Sequence, residues 1–346
     1  MNGAVLSVDL DVLAANIAVA RERVAPAEVM VVVKDDAYAH GVEHVVRRAW
    51  AEGIRWFGAF DIETARAVRA AAGGDARVFS WLAFGEEDLA AALDLDLDVG
   101  VGDPLLLEGL AAAAEASGRT ARVHLKIDTG LHRNGVRGEE WPAFVERAAA
   151  LERAGALEVA GIWSHIAEAS DEEDDAARAA FDLAFAQAEE AGLRPRLRHL
   201  GASAASFARP EFRYDICRIG AFCYGIRPAG GPSHEELGVR PAAALRANVV
   251  RIDDDAVVIG VGALDGLPSS LSGRFDVPTP DGPRRVLGIG PVETRVEPWD
   301  ARMGDVVVVF GAGAASATDL AELIGTIGEE IVVRVSPTIA REYRAE

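Results

Sequence analysis

Lysine is scarce in this 346-residue chain, although basic residues are not. Of 35 lysines and arginines, only two are lysines, Lys34 and Lys126. Arginine stays protonated at any accessible pH, so it neither forms a Schiff base nor acts as a general base near pH 7. Codon bias explains the scarcity, but not why both lysines follow apolar, strand-like runs, Met30–Val33 and Val123–Leu125. Both are therefore candidate functional residues.

Cysteine, positive net charge and long apolar runs are also lacking. The two cysteines, Cys217 and Cys223, are too few for a disulfide framework, and we expect buried free thiols in a reducing compartment. A formal charge of −20 argues against nucleic acid as a partner, because its phosphates would be repelled. No run approaches membrane-spanning length, and the N-terminus has no basic region. The sequence thus predicts a cytoplasmic protein without membrane contact.

Short apolar runs alternate with helical segments up to about residue 225. Strands are predicted at 29–34, 55–60, 77–82, 96–101, 122–127, 158–164, 197–201 and 216–223. Alanine-rich amphipathic segments predict helices at 42–52, 61–72, 104–117, 139–153 and 174–192. Repeated βα units build a parallel sheet, and eight such units close into a TIM-type (β/α)₈ barrel.

A smaller, mostly β domain is predicted after the Pro- and Gly-rich linker at 227–233. Its strands are predicted at 243–252, 256–262, 284–289, 305–310 and 330–335, with one helix at 318–325. The predicted domains are the barrel, residues 1–228, and the C-terminal β domain, residues 229–346. Residues 1–11 are a candidate to pair with the β domain.

Candidate functional residues follow the C-terminal ends of the barrel strands, where this fold class places its active sites. They are Lys34, the stretch 126–133, His165, Ser203 and Arg218. Gly201-Ala202-Ser203 before a short helix is typical of a phosphate site, where backbone N–H groups bind an anion. A Schiff-base lysine combined with a phosphate site predicts pyridoxal phosphate (PLP) as the cofactor.

Five motifs resemble, in order, those of the alanine racemase family, PLP enzymes with a barrel and a β domain. They are Lys34–Gly41 (KDDAYAHG), Lys126–Gly135 (KIDTGLHRNG), His199–Ala205 (HLGASAA), Arg218–Gly225 (RIGAFCYG), and Arg334–Pro337 with Arg341–Tyr343. The resemblance covers nearly the whole chain. It implies an isomerase that acts at the α-carbon of a small amino acid and assembles as a homodimer.

The resemblance also implies a role for each matching residue. Lys34 would bind PLP covalently and act as the catalytic base on one face of the substrate. The phosphate would be bound by Tyr38, Ser203, Gly220, Ala221 and Tyr343. His165 would pack against the pyridine ring and Arg218 would face its nitrogen. Arg133 would assist the substrate carboxylate or the phenolic oxygen of the cofactor, braced by Lys126, which is carbamylated in some relatives. No metal is expected.

The chain departs from the family at the second catalytic base. Racemisation removes a proton from one face and returns one to the other, and the family uses a tyrosine of the partner subunit, in a Gly-Tyr-Ala-Asp-Gly motif. The matching stretch here is Gly262–Gly266, so Ala263 stands in the place of that tyrosine. His132 and Glu168 are candidate replacements, although solvent-facing loop residues are an equally good interpretation of both.

Three hypotheses follow for the activity. The first is a racemase-like enzyme acting on a small amino acid. The second is a one-base PLP reaction, such as decarboxylation, retro-aldol cleavage or elimination, and the third is a non-catalytic PLP-binding relative. The complete set of PLP-binding residues counts against the third.

Overall fold

A computed structural model describes residues 3–345. Its strands are β1 (Ala4–Asp9), β2 (Glu28–Val32), β3 (Trp56–Ala59), β4 (Arg77–Ser80), β5 (Asp98–Val101), β6 (Ala121–Lys126), β7 (Leu157–Trp163), β8 (Leu197–His199), β9 (Ile216–Ile219), β10 (Ala243–Ile252), β11 (Val257–Ile259), β12 (Asp276–Val277), β13 (Arg284–Ile289), β14 (Thr294–Val296), β15 (Val306–Gly311) and β16 (Ala340–Arg344). Its helical segments are α1 (Leu10–Val24), α2 (Lys34–Tyr38), α3 (Val42–Ala51), α4 (Ile62–Ala72), α5 (Gly85–Asp94), α6 (Pro104–Ser117), α7 (Trp141–Arg153), α8 (Asp171–Glu190), α9 (Ser203–Ala208), α10 (His234–Leu237), α11 (Ala317–Ile324) and α12 (Gly328–Val333).

Strands β2 to β9 form an eight-stranded parallel barrel. The strand order is β9-β2-β3-β4-β5-β6-β7-β8, and each strand pairs in parallel with the next. The two end strands come together where the Asp215 N–H donates to the Arg198 carbonyl at 3.1 Å. The predicted (β/α)₈ fold class is confirmed.

Large apolar side chains fill the barrel. Met30, Trp56, Phe79, Trp163 and Ile216 form one buried cluster, contributed by five different strands. A parallel strand is covered on both faces, which is why these strands appear in the sequence as continuous apolar runs. Both cysteines are buried free thiols, as predicted.

The remaining strands form a second, mostly antiparallel sheet. Its order is β12-β13-β14-β11-β10-β1-β16, and β15 also pairs with β10. The N-terminal strand β1 pairs antiparallel with β10 and parallel with β16. This sheet belongs to one compact unit, made of the chain up to Val19, Asp35–Arg48 and the chain from Ala221 onward, and the barrel belongs to the other. The domain boundary near residue 228 stays a prediction.

One predicted strand is wrong. Residues 330–335 were expected to be extended because they are rich in β-branched residues, but the chain forms helix α12 over Gly328–Val333. Gly328, Ile331, Val332 and Val335 are buried, a spacing that fits one face of a helix and not a strand. Packing of this face outweighs the β propensity.

Several elements were not predicted at all. They are the helices α1, α5 and α10 and the strands β12, β14 and β16. The sequence analysis left the regions of these elements without an assignment. Within residues 3–345, no helix combines the length and the apolar character needed to cross a bilayer.

Candidate active site

Lys34 follows the apolar strand β2, and the backbone of the next five residues is left-handed. The φ angles of Asp35–Ala39 lie between 52° and 64°. Left-handed backbone brings the Cβ close to the following carbonyl oxygen, so a series of such residues needs external support. Part of that support is local, because the Ala39 N–H donates to the Asp35 carbonyl at 2.8 Å and the Val42 N–H donates to Asp36 Oδ1 at 2.8 Å.

Side chains outside the turn supply the rest of the support. His40 Nδ1 lies 2.7 Å from the Tyr38 carbonyl, and burial lowers the pKa of His40 to about 4. The neutral ring must therefore carry its proton on Nδ1 to donate this bond. Arg341 Nε donates to the Ala39 carbonyl at 3.3 Å. Tyr343 stacks on His44 at 3.6 Å between ring centroids.

Gly41 ends the turn at a position that only glycine fits. Its φ is +87°, and a Cβ at this position would lie 1.9 Å from the Tyr343 hydroxyl oxygen. Tyr38 is buried, which raises the pKa of its phenol well above the usual range. The predicted phosphate ligands Tyr38, Ala221 and Tyr343 all belong to the unit that holds the β sheet.

Arg218 lies in β9 of the barrel and is held on several sides. Its Nη1 donates to the His199 carbonyl at 2.8 Å, and its Nη2 donates to the carbonyls of Ser164 at 2.7 Å and Leu200 at 2.9 Å. The side chain is 5 % exposed, and burial lowers the pKa of Arg218 to about 10. At neutral pH it is a cation whose orientation is fixed by backbone carbonyls.

His165, after β7, lies among positive charges. Burial, together with Arg218, Arg133, Lys126 and Lys34, lowers the pKa of His165 to about 3. Arg218 Nη2 lies 3.1 Å from His165 Nδ1, and since arginine only donates, Nδ1 accepts and Nε2 carries the proton. Four of the residues that the sequence analysis placed at the strand ends thus lie near enough for their charges to act on the His165 ring, namely Lys34, Lys126, Arg133 and Arg218.

Lys126 is the buried member of the two lysines. Its Nζ lies 4.3 Å from the centroid of the Trp163 ring. Burial, reinforced by Arg218 and Arg133, lowers the pKa of Lys126 to about 8, and Asp128 opposes this shift. A lysine with such a pKa is partly neutral just above pH 7, the form in which an amine reacts with CO₂.

The predicted phosphate site follows β8. The Gly220 N–H donates to Ser203 Oγ at 3.3 Å, which joins the two barrel segments predicted to bind the phosphate. Glu168 is exposed, as one interpretation of the sequence had it, and its Oε1 accepts a hydrogen bond from the Ala205 N–H at 2.8 Å. This bond caps the first turn of α9. Glu168 is therefore engaged at the helix terminus.

His132, the other candidate replacement base, is held by a carboxylate. Its Nδ1 lies 3.1 Å from Asp128 Oδ2, and Asp128 Oδ1 accepts from the backbone N–H groups of Gly130 and His132, each at 3.1 Å. The His132 side chain is 80 % exposed. Like Glu168, His132 is therefore exposed to solvent.

Ala263 lies on a tight turn of the other unit. Asp265 Oδ2 accepts from the Gly262 N–H at 2.9 Å, and the Ala263 N–H donates to the Gly290 carbonyl at 2.9 Å. Ala263 is exposed and carries only a methyl group. These hydrogen bonds form the turn although Ala263, at its tip, has no ionisable side chain.

Two buried histidines of the quoted motifs received no role from the sequence. They are His40, described above, and His199, whose Nδ1 lies 3.1 Å from Arg218 Nη1. Their position inside motifs that also hold cofactor ligands was a signal that could have identified them. The partner of His199 on its other side, His124, had no such signal.

This chain is similar to proteins of one family. Residues 8–228 match the family model described as "Alanine racemase, N-terminal domain". The alanine racemase of Beutenbergia cavernae is 36 % identical over 97 % of this chain and 96 % of its own length, and that of Thermobifida fusca is 35 % identical over 97 % and 96 %. The solved alanine racemase of Streptomyces lavendulae superposes with a TM-score of 0.95 at 32 % identity, covering 100 % of this chain and 98 % of the other.

The matches cover nearly the whole length of both chains, so they are not confined to the barrel. The family match, the barrel and the lysine at the end of its first strand agree with the resemblance drawn from the motifs. The chain belongs to the alanine racemase family, whose members are PLP-dependent enzymes.

Proposed function

We propose that this protein is a PLP-dependent, racemase-like enzyme that acts at the α-carbon of a small amino acid, with alanine as the first substrate to test. The observation that supports this most strongly is the placement of Lys34. It is one of two lysines, it follows β2 of the barrel, and it is near enough to contribute to the lowered pKa of His165. The relatives named above are alanine racemases, which supports alanine as substrate.

The residues present fit PLP. Arg218 offers a fixed guanidinium, His165 is a neutral ring, and Ser203 with the Gly220 segment offers hydroxyl and backbone donors. Lys34 is half-buried and offers the amine. This donor set matches an aromatic ring that bears a phosphate and an aldehyde, and Tyr38, Ala221 and Tyr343 complete the proposed phosphate ligands.

Each of these residues would have a physical task. When bound, PLP withdraws electrons from the substrate α-carbon and acidifies its proton. Lys34 would hold the cofactor and move that proton on one face. Arg218 can donate a hydrogen bond but not accept one, so a ring nitrogen facing it stays unprotonated. A cofactor held in this way withdraws electrons less strongly, which disfavours transamination. Arg133 would bind the substrate carboxylate.

None of the tyrosines of the chain is an evident second base. The chain has four tyrosines. Burial raises the pKa of Tyr38 and of Tyr224 well above the usual range, and the Tyr214 hydroxyl donates to Asp182 at 2.7 Å. Tyr343 is assigned to the phosphate. We infer that Lys34 acts as the only strong base and that the inversion of configuration is correspondingly slow.

The alternative reactions gain no support. The relatives named above are all alanine racemases, and none is a decarboxylase, an aldolase or an eliminating enzyme. A non-catalytic role gains no support either. The proposed reaction therefore remains at the α-carbon proton.

The proposed cofactor lysine is tested by replacing each lysine in turn. The wild-type protein should purify with a visible absorption band that borohydride abolishes. Lys34→Ala should lose this band, whereas Lys126→Ala should keep most of it, because Lys126 is buried against Trp163 and does not bind the aldehyde. A borohydride-sensitive band that survives in Lys34→Ala would overturn the assignment.

We also propose a homodimer, in which each β domain covers the barrel of the partner. This rests on the resemblance and on the apolar side chains exposed near Ala263, where Leu264 is 72 % and Val292 is 44 % exposed. The Leu264 N–H donates to the Pro291 carbonyl at 2.8 Å, so these side chains lie close together. Light scattering at micromolar concentration should give twice the mass of the 36.5 kDa chain, and a monomeric mass with PLP bound would reject the dimer.

A further inference from the structure

A series of hydrogen-bonded polar side chains, most of them buried, extends from Arg218 across the barrel. His199 Nδ1 lies 3.1 Å from Arg218 Nη1, and His199 Nε2 lies 2.8 Å from His124 Nδ1. His124 Nε2 lies 3.1 Å from Asp98 Oδ1, which also pairs with Arg77 Nη2 at 2.5 Å. The side chains of Asp98 and His124 are 0 % exposed, whereas that of Arg77 is 38 % exposed.

This series of hydrogen-bonded side chains connects the two ends of the barrel. Arg77 and Asp98 are the first residues of β4 and β5, His124 lies within β6, and His199 is the last residue of β8. Four different strands thus contribute one side chain each. The residue at the far end, Arg77, reaches solvent at the end of the barrel opposite to the proposed cofactor.

The direction of every hydrogen bond in the chain is fixed by its two ends. Arginine can only donate, so His199 Nδ1 accepts and His199 Nε2 must carry the proton. His124 Nδ1 then accepts, and its Nε2 donates to Asp98. Burial alone would raise the pKa of Asp98, but hydrogen bonds from His124 and Arg77 lower it, so the carboxylate is ionised and only accepts. A cationic His124 would force a proton onto His199 Nδ1, against the Arg218 N–H.

Arg218 hydrogen-bonds to neutral groups, although the charge of Glu168 also acts on it and opposes the lowering of its pKa by burial. Its hydrogen-bond partners are three carbonyls and the two neutral imidazoles of His165 and His199, and no carboxylate of residues 3–345 pairs with it. The Asp98 carboxylate is separated from Arg218 by the imidazole rings of His199 and His124. Each imidazole presents its acceptor nitrogen to the Arg218 side and its N–H to the Asp98 side, so both dipoles favour a positive charge at Arg218.

We propose that His199, His124 and Asp98 are positioning residues that hold Arg218 as an unpaired cation through a one-way hydrogen-bond relay. The relay stabilises the charge without placing a carboxylate beside the guanidinium, which would otherwise weaken its donation to the cofactor. The proposal rests on the proposed function only in its last step, from Arg218 to PLP. The relay itself is a property of the barrel.

The relay is tested first in the wild-type holoenzyme, labelled with ¹⁵N-histidine and studied by solid-state NMR. We expect one imidazole pair that shows ¹⁵N–¹⁵N coupling across a hydrogen bond, with both rings neutral at pH 7 and protonated on Nε2. The coupling identifies His124 and His199 without a substitution, since they are the pair in direct contact. A proton on Nδ1 of either ring, or a cationic ring, would overturn the relay.

The effect on the cofactor is tested with Asp98→Asn, which removes the charge and keeps an acceptor oxygen. Asp96→Asn is the matched control, because Asp96 is an exposed carboxylate that binds the same neighbour, Arg122, from outside the relay. Asp98→Asn should change the ratio of the near-ultraviolet and visible bands of bound PLP by about two-fold or more, since a buried unit charge acts over long distances at an effective dielectric of about 20. Asp96→Asn should leave it unchanged.

The outcomes separate the two proposals. If the spectrum of Asp98→Asn matches that of Asp96→Asn, the relay has no effect on the cofactor and the inference fails. If Asp98→Asn does not fold, Arg77→Gln weakens the same terminus from the solvent side and should shift the spectrum in the same direction. A wild-type protein that shows the NMR signature but binds no PLP would refute the proposed function and leave the relay intact.

Discussion

Individual histidines are kept neutral by their surroundings, and this has an energetic cost in acid. The pKa of His165 is lowered to about 3 by burial and four nearby cations, and burial lowers that of His40 to about 4. An unfolded histidine titrates near 6.5. Below that value the unfolded chain binds protons that the folded protein does not. The free energy of unfolding therefore falls as the pH falls from about 6.5 towards 4.

The histidine effect predicts a measurable slope. Each such histidine should contribute about 1.4 kcal/mol per pH unit to the loss of stability between about pH 6 and pH 4. Urea unfolding at several pH values should show this slope reduced by that amount in His165→Gln. His132→Gln is the control, because the His132 side chain is 80 % exposed, and it should leave the slope unchanged. An equal effect of both substitutions would contradict the account.

At the scale of single residues, the sequence identified the side chains that are proposed to carry the chemistry. Lys34 and Lys126 could be identified by their scarcity, and Arg218 by its motif. Asp98 and His124 could not, because their pairing depends on which strands become neighbours across the barrel and leaves no local pattern. The engagement of Glu168 with the Ala205 N–H depends in the same way on a contact between distant loops.

Among the elements, the left-handed turn after Lys34 depends most on its surroundings. Five consecutive residues with a Cβ have positive φ, and the turn ends at Gly41 against the Tyr343 hydroxyl. The sequence analysis expected a cofactor motif here but not this backbone, since no glycine precedes Gly41 to indicate it. The eight barrel strands, by contrast, were predicted from apolar runs alone. Helix α12 was not, because its packing outweighs its β-branched composition.

The contact at Gly41 can be measured against a glycine of the same conformation. Gly304 has φ +86° and open space around it, so Gly304→Ala should cost only the left-handed penalty of roughly 1–2 kcal/mol. Gly41→Ala should cost more, by roughly 1–3 kcal/mol, because its Cβ displaces Tyr343 from the stack on His44. Chemical denaturation of both variants gives the difference.

A double variant shows whether the hydroxyl is the cause. Tyr343→Phe removes the oxygen that lies 1.9 Å from the added Cβ, so Gly41→Ala combined with Tyr343→Phe should regain most of the extra loss. Additive effects of the two substitutions would show that the overlap is not what makes glycine necessary.

For the whole molecule, the fold and the family are established, while the proposed chemistry depends on one lysine and on a turn predicted to lack the second base. The match to alanine racemases covers 97 % of the chain, yet Ala263 offers no proton to exchange. The motifs alone predict this difference from the family. The sequence analysis expected residues 1–11 to pair with the β domain but gave no register, since β1 pairs with strands more than 230 residues away, as in Leu6↔Leu245 and Val5↔Ala340.

The central claim is that Lys34 is the only strong base, and proton exchange at alanine in D₂O tests it most directly. In the family the lysine serves the D-enantiomer, so D-alanine should take up α-deuterium faster than it inverts, and L-alanine should be nearly inert. Loss of a positioned base should slow racemisation by about 10²–10⁴-fold. Racemisation with a kcat in the ordinary range of roughly 1–10³ s⁻¹, and equal exchange from both enantiomers, would contradict the account.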